Sequence, residues 1–357
     1  MKFGIHFQLP CHRDQSAVQR YRDTIEQAVH AEALGFESVW PVEQHFNPSL
    51  SIMPAPLLPL AAIAERTQKL RLGIAIVLLP LSHPIRVAEE VATLDVMSNG
   101  RVEFGVGRGA IPNHFRGFGI KQSESRDRLF EGLEIIRRAW SEKEFSYSGS
   151  FYQIEKIRVV PKPVQMPHPP IRIAANSEDS FELMGREGYR IFAASQVNSF
   201  NRLRRLLPVY REARSRAGFP SSDDDLSLLM PLYVGDEPTE IRRDTEPGIR
   251  HLLEAVASLY TSATPGTDGG ARRIMELAQK VRSTTYEQAR DSMAVFTTPD
   301  DCCARLEALR DEFHMGRVIA WFNPGGLLPH TRVMRSMELF AEKVMPYFAR
   351  NQAQGHQ

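Results

Sequence analysis

Trp40-Pro41-Val42-Glu43-Gln44-His45-Phe46 sets a carboxylate, an amide and an imidazole side by side, directly after the apolar segment Phe36-Glu37-Ser38-Val39-Trp40. An imidazole trades protons near neutral pH, and a neighbouring carboxylate orients it. Burying three polar groups at a strand end is costly unless each is partnered. The run is therefore a candidate catalytic site, with Glu43, Gln44 and His45 as its members. A packed histidine bonded to Glu43 at a subunit contact is the alternative reading of the same residues.

Two further segments carry chemistry. In Gly105-Val106-Gly107-Arg108-Gly109 the glycines admit a ligand close to the backbone, and Arg108 offers a forked donor to phosphate oxygens. In Ala174-Ala175-Asn176-Ser177-Glu178-Asp179-Ser180 small residues give way to amide and hydroxyl groups at a helix start. Such a start presents free N–H groups and a positive dipole end to an anion. Taken singly, each segment reads as a tight turn or as ordinary capping. Placed at one end of one fold, they make a phosphate site.

Alternating strand and helix signals supply that fold. Lys2 to Gln8 reads as a first strand, followed by a helix with Val18, Tyr21, Ile25, Ala28 and Val29 on one face and Gly35 at its end. The strand Phe36 to Trp40 and a helix from Leu57 to Arg66 follow. Leu70 to Leu78 is a nearly continuous apolar run, as suits a parallel strand covered on both faces. His83-Pro84 opens the next helix, and Arg101 to Val106 is the fourth strand. Arg126 to Ser141 reads as a helix, and strands follow at Ile171–Ala175, Arg190–Ala194, Leu226–Val234 and Arg317–Phe322. Helices are expected after Asn176-Ser177, over Arg202–Ala217, from Thr298-Pro299 with a capping hydroxyl, and over Thr331–Val344.

About eight strand–helix units predict a TIM-like (β/α)8 barrel. The rival open sheet lacks its GxGxxG fingerprint after the first strand. Residues 1–350 read as one domain with two breaks. The stretch 145–170, rich in proline, reads as a hairpin or irregular insertion after the fourth unit. The stretch 235–297 reads as a long lid-like excursion around Thr264-Pro265-Gly266-Thr267-Asp268-Gly269-Gly270, and residues 351–357 as a polar tail.

Lys and Arg total 44 against 43 Asp and Glu, a net charge of +1, so nucleic acid and anionic membranes are not expected partners. No apolar run is long enough to span a bilayer, and the N-terminus reads as a strand, not a signal peptide. The three cysteines, Cys11, Cys302 and Cys303, suit a reducing, cytoplasmic setting, and no metal-ligand spacing occurs. Physics alone thus gives a barrel, a phosphate-bearing ligand and an imidazole.

The motifs in order resemble the bacterial luciferase family. The resemblance is carried by Lys2-Phe3-Gly4, by Gly35 to Trp40, and by Glu43-Gln44-His45-Phe46. It continues through His83-Pro84-Ile85-Arg86-Val87-Ala88-Glu89-Glu90, Leu94 to Arg101, and Phe104 to Gly109, and resumes at Trp321-Phe322-Asn323, Gly325-Gly326 and Met337 to Phe340. It spans Met1 to Ala194 and Phe296 to Phe348. It implies an enzyme that binds reduced FMN (FMNH2), reacts it with O2 to a flavin 4a-peroxide, and oxygenates a small organic substrate. It further implies a separate flavin reductase as partner and a homodimer through the second and third barrel helices. The family's phosphate-binding positions fall on Arg108, Asn176, Ser177 and Ser180. Its cis peptide bond beneath the flavin ring falls at Ala75-Ile76, and Gly107 is a further cofactor-binding position.

Two positions depart from the light-emitting members, which carry histidine at Gln44 and cysteine at Gly107. An amide does not replace an imidazole in proton transfer, so a non-luminescent monooxygenase is expected. Gly107 is expected to leave extra room beside the reactive flavin carbon. No charged cluster in the motifs suggests an anionic substrate, which points to an apolar or aromatic one. A deazaflavin-dependent hydride-transfer enzyme and a non-catalytic flavin-binding protein are the alternatives.

Overall fold

The computed structural model describes residues 1–261, 275–276 and 278–354. Strand β1 (Lys2–Phe7), buried from Phe3 onward, leads into helix α1 (Ala17–Ala33). The Ser16 hydroxyl starts α1 by accepting from the Gln19 N–H, and Gly35, at φ 87°, lets the chain turn back after it. There follow β2 (Ser38–Pro41), α2 (Leu57–Ala64), β3 (Arg71–Gly73), β4 (Val77–Leu78), α3 (Pro84–Met97), β5 (Val102–Gly107), α4 (Pro112–Phe118) and α5 (Ser125–Ser141). Strands β6 (Phe145–Ser148) and β7 (Gln153–Ile157) form an antiparallel hairpin inside the stretch read as an insertion.

The alternation resumes with β8 (Ile171–Ala174), α6 (Glu178–Arg186), β9 (Arg190–Ala194), α7 (Phe200–Arg216) and β10 (Leu226–Val234). After these come α8 (Pro238–Thr261), α9 (Tyr286–Met293), β11 (Val295–Thr297), α10 (Pro299–Phe313), β12 (Arg317–Trp321), α11 (His330–Leu339) and α12 (Met345–Gln354). Pairing runs β1-β2-β3-β5-β8-β9-β10-β12 and back to β1, parallel throughout. The fold is the expected closed TIM-like barrel of eight parallel strands.

Four local expectations are corrected. The Leu70–Leu78 run is not one strand: β3 stops at Gly73 and β4 resumes at Val77, with a cis bond between Ala75 and Ile76. Apolar pattern reports burial and is blind to such a break. The Thr298 hydroxyl starts α10 by contacting the Asp301 carboxylate, 3.3 Å away, and makes no capping bond to a backbone N–H. The excursion contributes a strand of its own, because β11 extends the sheet beside β10. The closing helix runs through a wide turn at Phe340–Val344 and on to Gln354, so residues 351–354 are helical. Thr264 to Gly270 and residues 355–357 lie outside the described residues.

The barrel interior is polar at its N-terminal end. Glu103 is buried between Arg317 (2.6 Å), Arg71 (2.7 Å) and Arg172 (3.0 Å). Burial alone would raise the Glu103 pKa, but the guanidinium groups of Arg317 and Arg172 hold the carboxyl well below the usual range. Above this layer Trp40 fills the axis, with Phe192 at 5.7 Å between ring centroids and no side chain at Gly73 to displace it. The other end is spanned by α8. Gly248 packs so closely on the loop after β12 that a Cβ there would sit 2.2 Å from the Pro324 carbonyl oxygen.

Candidate active site

Parallel strands all point their C-terminal ends one way, so loops that follow them share one face. Glu43, Gln44 and His45 lie just past β2, and Leu78 ends β4 on the same face. One Glu43 carboxylate oxygen accepts from His45 Nε2 at 2.9 Å, and the other accepts from the Leu78 N–H at 3.0 Å. Both oxygens are thus engaged, and Glu43 ties the β2 loop to the strand that follows the cis bond. His45 is half-buried, with its ring edge-to-face against Phe118 at 4.9 Å.

A second histidine joins this group that the sequence reading did not single out. His114, buried on α4, sits with Nε2 3.1 Å from Gln44 Nε2 and its ring 5.4 Å from His45. Burial first, then the charge of His45, push its pKa down to about 4, against the raising effect of the His45 main-chain carbonyl. The ring is neutral at pH 7. Pro112 two positions before His114 opens a short helix right after the glycine loop, and that local signal was available. Its pairing with Gln44, 70 residues away, was not. His6, on β1, is likewise neutral: burial pushes it down to about 4, against hydrogen bonds to the Trp40 carbonyl and Gln8. Its Nδ1 lies 2.9 Å from that carbonyl, and its ring meets Trp321.

The glycine segment lies on neighbouring strands to the anion segment, since Val106 pairs with Ile173. The structure therefore brings Gly107 and Arg108 beside Ala174 and the turn from Asn176 to Ser180. Arg108 is exposed and makes no ion pair or hydrogen bond among the described residues. Ser180 Oγ accepts from the Asn176 N–H at 3.0 Å and the Ser177 N–H at 2.9 Å, and donates to the Ser177 carbonyl at 2.6 Å. Ser180 thus shapes the turn. Arg202, missed in the sequence, donates to the Asn176 carbonyl at 3.1 Å and adds a second guanidinium here.

The Ala75–Ile76 bond is cis, where the resemblance places it. The expected extra room at Gly107 is not there. A Cβ on Gly107 would lie 2.2 Å from Ile76 Cδ1, so the isoleucine side chain fills that space. A Cβ on Gly105 would meet the Ile74 carbonyl oxygen at 1.8 Å. Both glycines exist because the irregular segment between β3 and β4 presses on β5.

A cavity of about 300 Å³ lined by Tyr210, Ser222, Asp225 and His314 opens at the other end of the barrel, away from all these groups. No helix among the described residues is long and apolar enough to cross a membrane.

The sequence profile of the luciferase-like monooxygenases matches residues 1–313. The chain belongs to the luciferase-like monooxygenase family. The uncharacterized protein y4vJ of Sinorhizobium fredii is 30% identical over 334 residues, 93% of each chain. The oxygenase component of the flavin-dependent trigonelline monooxygenase of Acinetobacter baylyi is 32% identical over 240 residues, 66% of each chain. Among solved structures, the monooxygenase RslO1 from Streptomyces bottropensis has a TM-score of 0.82 at 29% identity, covering 98% of this chain and 100% of that one. As a member of this family the protein is a flavin-dependent monooxygenase.

The residues at the barrel mouth fit a flavin. Gln196 Oε1, Asn198 Oδ1 and Trp321 Nε1 are buried there without a hydrogen-bond partner among the described residues. Buried polar atoms of both kinds call for a ligand that both donates and accepts, as a flavin ring system does.

Proposed function

We propose that this protein takes FMNH2 from a separate reductase and uses O2 to oxygenate a small organic substrate without emitting light. The observation that carries this reading is the meeting of two groups on one barrel face. One is the Glu43–His45 pair with the Gln44–His114 pair. The other is Arg108 with the Asn176–Ser180 turn, across the cis segment at Ala75–Ile76. Reduced FMN, once bound, would supply the electrons that activate oxygen. Arg108, Asn176 and Ser177 would hold the phosphate, while Ala75, Ile76 and Gly107 would form the floor beneath the ring. Glu43 orients His45, and Gln44 and His114 keep neutral hydrogen-bonding groups at the mouth.

In this reading α8 and α9 form a lid that keeps bulk water from the reacting centre. The neutral, largely aromatic and aliphatic surroundings suit an apolar or aromatic substrate. A homodimer through α2 and α3 belongs to the same proposal, supported by the exposed apolar side chains of Leu58, Val96 and Met97 on those helices. So does a cytoplasmic location.

Oxygen uptake measured with a flavin reductase, NADH and FMN tests the assignment. Uptake above that of the reductase alone supports FMN-dependent oxygenation. Anaerobic reduction of substrates by a reduced deazaflavin, without oxygen uptake, supports hydride transfer instead, and neither activity supports a flavin-sequestering role. Purified protein given FMNH2, O2 and decanal is expected to stay dark, because Gln44 stands in place of the imidazole. Strong luminescence overturns that part.

A further inference from the structure

His114 is not among the groups the resemblance supplied, yet it is the buried partner of the residue that breaks the family pattern. Three observations set its role. The first is chemical: neutral imidazole has one donor and one acceptor nitrogen, and a primary amide has one donor end and one acceptor end. The second is geometric: Nε2 of His114 lies 3.1 Å from Nε2 of Gln44, so the ring nitrogen accepts and the amide donates. The ring proton then resides on Nδ1, the nitrogen that does not face the amide. The third concerns what remains. Gln44 Oε1 has no hydrogen-bond partner among the described residues, while the Gln44 N–H is spent on the Met53 carbonyl at 2.9 Å.

We propose that His114 is a positioning residue that locks the Gln44 amide with Nε2 held and Oε1 presented to the barrel mouth, giving the site a neutral acceptor where light-emitting relatives have an imidazole. The consequence is one of specificity. A fixed acceptor favours a flavin or substrate edge carrying N–H or O–H, and disfavours a carbonyl placed at the same point. A free amide would rotate to serve either. His45 cannot provide this constraint, since its Nε2 is committed to Glu43. The proposal rests on the flavin monooxygenase reading for its consequence, but the lock itself is a property of the chain alone.

Two measurements test it. The first needs no flavin: ¹⁵N spectra of the histidine rings at pH 7 report the tautomer. His114 is expected with Nδ1 protonated and Nε2 bare, and Gln44→Ala is expected to broaden or shift that Nε2 signal. A protonated Nε2 means that the ring donates to the amide carbonyl and turns the NH2 to the mouth, which overturns the proposal whatever the enzyme does. The second reads consequence: aerobic reoxidation of photoreduced FMN at saturating protein, for His114→Ala, His114→Gln, Gln44→Ala and the double variant His114→Ala/Gln44→Ala. His114→Ala and Gln44→Ala are each expected to change the rate by about tenfold, the size of one lost hydrogen bond, and not to multiply in the double variant. His114→Gln restores an acceptor at the same reach and is expected to recover the rate. Multiplicative effects, or an unchanged rate in His114→Ala, overturn the positioning role. If wild-type protein fails to bind reduced FMN, the flavin reading fails, while the ring spectra still decide the lock.

Discussion

At the N-terminal end of the barrel, Glu103 is buried against three arginines, and at the C-terminal end Glu43 is buried against one histidine and one backbone N–H. Both carboxylates are nearly inaccessible to water. What differs is the partner. Guanidinium stays charged at any pH the protein meets, so the lower cluster is a fixed lattice of charge whose role is to close the barrel. The upper cluster holds no permanent cation: each imidazole nitrogen donates or accepts according to its tautomer, so the hydrogen bonding there can adapt to a ligand. The fold thus keeps permanent charge at the closed end and tautomer-dependent hydrogen-bonding groups at the end where chemistry is expected.

The largest expected effect breaks the lower cluster. Glu103→Gln leaves Arg317 and Arg172 buried without their counter-charge, and removing one partner of a buried ion network costs about 3–5 kcal/mol. Urea unfolding should show that loss, or the variant should fail to fold. A change under about 1 kcal/mol would mean that water or Asp224 takes over the role of Glu103, and the contrast between the two ends would weaken.

Acid should separate the ends next. His6 and His114 have folded pKa values lowered to about 4 from 6.5. Below pH 6.5 the unfolded chain binds protons that the folded rings refuse, so their contribution is full above 6.5 and is lost as pH falls toward 4. Glu103 has a depressed folded pKa, so its contribution is present above 4.5 and is lost only as pH falls below that value. His6 alone accounts for about 2–3 kcal/mol between pH 6.5 and 4. A flat stability curve across that window, followed by denaturant titration, would remove the distinction.

Smaller effects concern binding and turnover at the upper end. Arg108→Ala should weaken FMNH2 binding by about 10- to 100-fold through loss of a charge-assisted phosphate contact, measured by anaerobic titration. If Arg202→Ala produces the loss instead, the phosphate lies nearer α7. His45→Ala sharpens the comparison most finely. A turnover loss of about tenfold or more with unchanged dimer stability makes the imidazole part of the chemistry. Near-normal turnover with a weaker dimer makes it a contact residue.

Much of the barrel was legible because burial leaves a strong signature. The spans Arg190–Ala194 and Leu226–Val234 appear as read, since parallel strands covered on both faces are apolar runs with clear ends. The groups at 43–45, 107–108 and 176–180 were legible because glycine, arginine and helix-start hydroxyls advertise backbone approach and anion chemistry locally. His114 was not, because nothing within ten residues says that it meets Gln44. The Ile76 side chain filling the space at Gly107 was equally hidden, because it depends on where the segment between β3 and β4 presses on β5.

The sequence by itself determined the alternating units, their apolar faces and the residue types at the strand ends. Those follow from periodicity and side-chain chemistry, which are local. Only the tertiary structure decided which imidazole faces which amide, which carboxylate oxygens are already spent, and which glycine is filled by a neighbour. Those are pairings across 30 to 70 residues of chain, as in Glu43 with Leu78 and Gln44 with His114. They are set by barrel closure, which brings distant strand ends together and which no single segment encodes.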